Sequence, residues 1–112
     1  KKVFKFAIKR MSDVSTKLLE ENGLAGKDIK LFIPHQANKR IIEATGERCN
    51  IPLDRVMINI DKYGNTTAGT IPIALNEAVE SNLISNGDYI LLAAFGSGFT
   101  WGSILIKWDT MV

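Results

Sequence analysis

Apolar residues recur at helical spacing from the start of the chain. Phe4, Ala7, Ile8, Met11, Val14, Leu18 and Leu19 share one face, with Lys9, Arg10, Asp13, Lys17 and Glu20 on the other, until Asn22-Gly23 stops the pattern. This predicts an amphipathic helix. Residues 30–33 form a short apolar run without polar alternation, as expected of a strand covered on both faces. From Asn38 the stripe Ile41, Ile42, Thr45, Cys49 resumes the helical period and ends before Ile51-Pro52. A second apolar run, residues 56–60, leads through a glycine turn into the helical pattern Ile71, Leu75, Ala78, Val79. Pro72 falls in the first turn of that pattern, where a missing N–H does no harm. Asn86-Gly87 marks a turn, residues 89–95 read as an uninterrupted apolar strand, and Gly96-Ser97-Gly98 breaks it before a last strand over 100–108. The order α-β-α-β-α-β-β predicts an α/β fold: a mostly parallel mixed sheet with packed helices and one antiparallel strand at the end.

At 112 residues the chain is expected to form one domain, 1–112. Its net charge of +2 hides an asymmetry: residues 1–62 carry 13 Lys/Arg against 8 Asp/Glu, and residues 63–112 carry 1 against 4. An acidic partner would favour the first half. The single cysteine can make neither an internal disulfide nor a zinc site, and it fits a reducing, cytoplasmic setting. The longest apolar run is about a third of the ~20 residues a membrane span needs. Neither a leader nor a membrane segment is read, and no nucleic-acid partner is expected.

Two stretches carry candidate chemistry. Pro34-His35-Gln36-Ala37-Asn38 holds the only histidine, read in a strand-to-helix loop, and Tyr63-Gly64-Asn65-Thr66-Thr67 occupies the equivalent place in the next unit. Right-handed crossovers put the carboxyl ends of parallel strands on one edge, so His35, Asn65 and Gly96-Ser97-Gly98 are expected to converge there. A neutral imidazole and a side-chain amide both donate hydrogen bonds, which suits an oxyanion. The flanking glycines would let backbone at Ser97 approach a substrate. Cys49, near the far end of the helix beginning beside His35, is carried roughly 16 Å away at ~1.5 Å rise per residue. It is a poor nucleophile candidate, so the site is either a binding site only or completed by another polypeptide segment.

Pro34-His35-Gln36-Ala37-Asn38, Arg40, Tyr63-Gly64-Asn65-Thr66 and Phe95-Gly96-Ser97-Gly98-Phe99-Thr100-Trp101-Gly102 together resemble the carboxyl-terminal half of β-ketoacyl-[acyl-carrier-protein] synthase III, a thiolase-like condensing enzyme. Elongating relatives have histidine where Asn65 stands, and plant-type polyketide synthases have proline where Ser97 stands, so both residues favour the initiating enzyme. The resemblance implies a cysteine-histidine-asparagine triad. The cysteine, in an amino-terminal half absent from this chain, would take an acetyl or other short acyl group from coenzyme A. His35 and Asn65 would hydrogen-bond the malonyl thioester oxygen during decarboxylation. Ser97 falls where the family supplies a backbone N–H to the acyl-enzyme carbonyl, although many relatives have glycine there; Phe95 is a candidate for the acyl tunnel or the core. No resident cofactor is implied, since the acyl-CoA is a substrate.

The resemblance also implies a homodimer and an acyl carrier protein partner. The arginine matching Arg40 belongs to the family's basic docking surface, with Lys39 and Arg48 as further candidates on the same helix; Glu47 stands where relatives are often basic. The sheet reads one strand short at its start, so the chain is expected to be a fragment of a longer one and incompetent alone for the full condensation. Two other readings compete: a non-catalytic interaction domain binding an acidic partner through its basic face, and a serine hydrolase built on Ser97 and His35. The latter lacks a strand-serine-helix elbow.

Overall fold

The helical stripe of the first residues becomes α1 (Lys2–Glu21) in the computed structural model, which describes residues 2–35, 38–57, 80, 83–96 and 100–109. Ala7, Met11 and Leu19 are buried on its packed face. Two serines, Ser12 and Ser15, lie buried there as well. Ser12 donates back to the carbonyls of Ile8 and Lys9, and Ser15 donates to Ser103 across to the sheet at 3.3 Å, so neither hydroxyl is stranded. Gly23, at φ +68°, ends the helix: its N–H reaches the Glu20 carbonyl and the Leu24 N–H reaches Leu19, the paired bonds of a Schellman stop.

After a short turn at Gly26–Asp28 the chain enters β1 (Ile29–His35). β1 runs parallel to β2 (Tyr89–Gly96), which pairs antiparallel with β3 (Thr100–Lys107), giving the order β1-β2-β3. The expected mixed sheet with a final antiparallel strand is therefore present. On the other side of β1, Phe32 makes a parallel bridge to Val56, and the Met57 N–H donates to the Phe32 carbonyl at 2.8 Å. The rest of the expected strand, 58–60, and the helical pattern from Ile71 to Val79 lie outside the described residues.

One boundary differs from the sequence reading. The strand expected to stop at residue 33 continues through Pro34 to His35, so His35 ends a strand instead of occupying a loop. Backbone groups alternate sides along a strand, and Phe32 faces the Val56 side. The N–H that Pro34 lacks would therefore face that side too, and the β1–β2 ladder loses nothing.

The sheet has two apolar faces. Ile29, Phe32, Leu91 and Ala93 pack with Ala7, Met11, Leu19, Ile41 and Ile42 from the helices. Leu31, Ile33, Ile90 and Leu92 form the second cluster on the opposite face. An irregularity between Ile29 and Leu31 puts Ile29 on the same face as Phe32 despite their spacing.

α2 (Lys39–Arg48) buries Ile41, Ile42 and Thr45, the stripe read from the sequence. Asn38 caps it, its Oδ1 accepting from the N–H groups of Arg40 at 2.8 Å and Ile41 at 3.4 Å. Asn38→Ala removes an acceptor for helix-end donors and should cost about 1 kcal/mol. Equilibrium unfolding of the full-length protein checks this, with Asn38→Asp expected to retain most of the lost stability; an unchanged Asn38→Ala midpoint would show that the cap carries no energy.

Candidate active-site edge

The β1–β2 register decides what meets at the carboxyl edge of the sheet. Pro34 pairs with Ala93 and His35 with Ala94, so the backbone of His35 stands one position short of Phe95 and two short of Gly96. The histidine motif and the start of the glycine motif thus end adjacent parallel strands on the same edge. Asn65, Ser97 and Gly98 lie outside the described residues. Beyond His35, Asn38 of the same motif serves the backbone as the cap of α2.

Phe95 is half-buried and its ring belongs to the helix side of the sheet. It stacks on Trp101, its cross-strand partner, with centroids 6.3 Å apart and planes 15° apart. Phe6 of α1 meets both rings edge-on, at 5.8 Å from Phe95 and 5.6 Å from Trp101. Arg10 lies one helical turn further on, its guanidinium carbon 4.9 Å from the Phe6 centroid and 5.3 Å from that of Trp101. Periodicity gave no sign of this group, because it joins the polar flank of α1 to a strand far along the chain.

The three docking candidates fall in two places. Lys39 and Arg40 are exposed in the first turn of α2, with the Arg40 guanidinium 5.7 Å from the Phe4 ring centroid. Arg48 is in the last turn, roughly 14 Å further along the axis at ~1.5 Å per residue. There it stands 4.0 Å from Asp13, whose carboxylate also accepts from Lys9 at 2.9 Å. Of these three candidates, the two in the first turn lie nearer the motif edge.

Cys49 caps the far end of α2 and is buried. Burial pushes its thiol pKa up, against smaller opposing effects of the Thr16 hydroxyl and the Arg48 charge. A thiol so placed stays protonated at neutral pH and is a poor nucleophile, as its position in the sequence suggested. The neighbouring cleft of about 350 Å³, lined in part by Thr16, Leu24, Gly26 and Cys49, shares no residue with the motif edge. Among the described residues no cluster of His, Cys, Asp or Glu could hold a metal ion, and no helix is long and apolar enough to cross a membrane.

Residues 19–108 match the family model described as 3-oxoacyl-[acyl-carrier-protein (ACP)] synthase III C terminal. The chain belongs to this family. It is 54% identical over 106 residues to a β-ketoacyl-[acyl-carrier-protein] synthase III of Koribacter versatilis, covering 95% of this chain and 32% of that protein. A Roseiflexus castenholzii protein of the same name is 53% identical over 109 residues, covering 97% of this chain and 33% of its own length. Among solved structures, the 3-oxoacyl-[acyl-carrier-protein] synthase III of Aquifex aeolicus superposes with a TM-score of 0.92 at 47% identity, over 96% of this chain and 35% of that one. The Thermus thermophilus synthase III gives 0.91 at 46%, over 98% and 34%. The α/β, thiolase-like fold expected from the motifs is the fold of these synthases. The chain spans about a third of the length of the curated synthases it matches.

Proposed function

We propose that this chain is the carboxyl-terminal, malonyl-handling part of an initiating condensing enzyme that joins acetyl-CoA, or another short acyl-CoA, to malonyl-[acyl-carrier-protein]. The acyl group first passes from coenzyme A to a cysteine in the amino-terminal part of the enzyme. Malonyl thioester then loses carbon dioxide, and the electron pair of the broken carbon–carbon bond becomes a thioester enolate. His35 and Asn65 donate hydrogen bonds to the enolate oxygen, where charge develops, and lower the barrier without adding a charge of their own. The α-carbon attacks the acyl-cysteine carbonyl, whose oxyanion accepts from backbone N–H at Ser97. Collapse expels the cysteine thiolate, which regains a proton, and acetoacetyl-carrier protein leaves.

One observation carries this reading: the parallel register that ends β1 at His35 beside Ala94, at the mouth of the Phe95-Gly96 motif. Identity of 53–54% to proteins named as synthases III supports it. The acidic carrier protein docks on the basic face, with Arg40 and Lys39 closest to the motif edge and Arg48 contributing least because Asp13 faces it. The enzyme works as a cytoplasmic homodimer and needs no resident cofactor. Full-length enzyme given acetyl-CoA and malonyl-carrier protein should release carbon dioxide and form acetoacetyl-carrier protein in equal amounts. Malonyl-carrier protein left intact with acetyl-CoA and with every other short straight or branched acyl-CoA offered would overturn the assignment.

A further inference from the structure

The β2–β3 ladder stays in unbroken register up to its last pair, Gly96 opposite Thr100. The pair before it, Phe95 and Trp101, therefore holds together the two strand ends that lead into the glycine motif. α1 lies against one side of those rings: Phe6 meets both edge-on and Arg10 lays its cation over Phe6 and Trp101, while Trp101 stays 38% exposed. Aromatic pairs in such geometry and cations within ~6 Å of a ring centroid each add favourable energy beyond the area they bury. Arg10 also carries a cost. Its Nε is buried without a hydrogen-bond partner, the one such side-chain atom found among the described residues. Arginine is always charged and its planar head stacks on rings in a way that a flexible ammonium does not. Among the described residues no ion pair to Arg10 is found, and the contacts that hold its head are those with the Phe6 and Trp101 rings.

We infer that Arg10 is a positioning residue for the condensation. With Phe6 it clamps Phe95 against Trp101 and so fixes the strand ends carrying Gly96 and Thr100, on which the backbone donor of the acyl-enzyme oxyanion depends. The inference rests on the function proposed above. Because Arg10 acts through the rings, its loss should slow turnover and leave carrier binding alone, the reverse of a docking arginine.

The test uses the full-length enzyme with Arg10→Met, which keeps an apolar stem but removes the charge, and Arg10→Lys, which restores the charge alone. Arg10→Met is expected to lower kcat about tenfold, since small misplacements of reacting groups cost that much or more. KM for malonyl-carrier protein should stay within about twofold, with the lysine variant intermediate in kcat. Hydrogen–deuterium exchange of the peptide covering residues 95–101 should quicken in Arg10→Met and in Trp101→Leu, which removes the ring from the other side. Unchanged kcat with unchanged exchange overturns the inference, as does a raised KM for the carrier with kcat intact. If the wild-type enzyme makes no condensation product, the proposed function fails by itself. The clamp is then still decided by exchange: faster exchange in the variants upholds it and equal exchange removes it.

Discussion

Phe32→Ala should destabilise the full-length protein by about 3–5 kcal/mol, the usual range for truncating a fully buried phenylalanine. Phe32 is wholly inaccessible and sits in the helix-side cluster among Met11, Ile41, Ile42 and Leu91. Its strand is held from both sides, by Leu91 of β2 in register and by the Met57 N–H on its own carbonyl. Gly46 of α2 lies so near that a Cβ there would stand 3.7 Å from the Phe32 ring and 2.8 Å from Val56. Elements fixed at such close quarters collapse poorly into a void, so the cavity term adds to the lost transfer energy. Thermal or urea unfolding measures the loss. Phe32→Leu should recover more than half of it, and an Phe32→Ala midpoint equal to wild type would mean that this side chain does not anchor the core.

Much of the fold was legible because burial here follows period. Of the stripe on residues 4–19, Ala7, Met11 and Leu19 are buried and Phe4, Ile8 and Leu18 pack partly buried against the core, and Ile41, Ile42 and Thr45 are buried as their spacing required. The run 89–95 needed no alternation because β2 has neighbours on both sides and apolar clusters on both faces. Two features escaped. The strand expected over 30–33 runs on to His35, because which side the absent N–H of Pro34 faces depends on strand pairing that the sequence does not show. Ser12 and Ser15 were passed over as core residues because hydrophobic pattern says nothing of hydroxyls that find acceptors within reach.

The site was legible in pieces. Each motif is contiguous in sequence, and connectivity brought the strands of the histidine motif and the Phe95-Gly96 motif to one edge, while the Asn65 motif lies outside the described residues. The order of approach was not legible, since it depends on strand register: His35 against Ala94 is a relation between distant segments. The Arg10, Phe6, Phe95 and Trp101 group was invisible for the same reason. Its members come from three separate elements, and only the packing of α1 over β3 makes them neighbours.

His35→Ala in the full-length enzyme should leave acyl transfer intact and slow condensation by roughly 10²–10³, the effect of removing one preorganised oxyanion donor. In the proposed reaction the imidazole acts only when malonyl thioester becomes an enolate. Loading of the cysteine from acetyl-CoA makes no demand on it, so the two half-reactions should separate cleanly. On the proposed function Asn65 would remain as the second donor, so the expected loss is large and not complete. Mass spectrometry of wild type and His35→Ala, exposed first to acetyl-CoA and then to malonyl-carrier protein, reads both halves in one experiment. The expected result is acetylated cysteine in both proteins, with acetoacetyl-carrier protein forming promptly only in the wild type. Product formed by the variant at an undiminished rate would contradict the assignment of His35 and, with it, the place of this chain in the reaction.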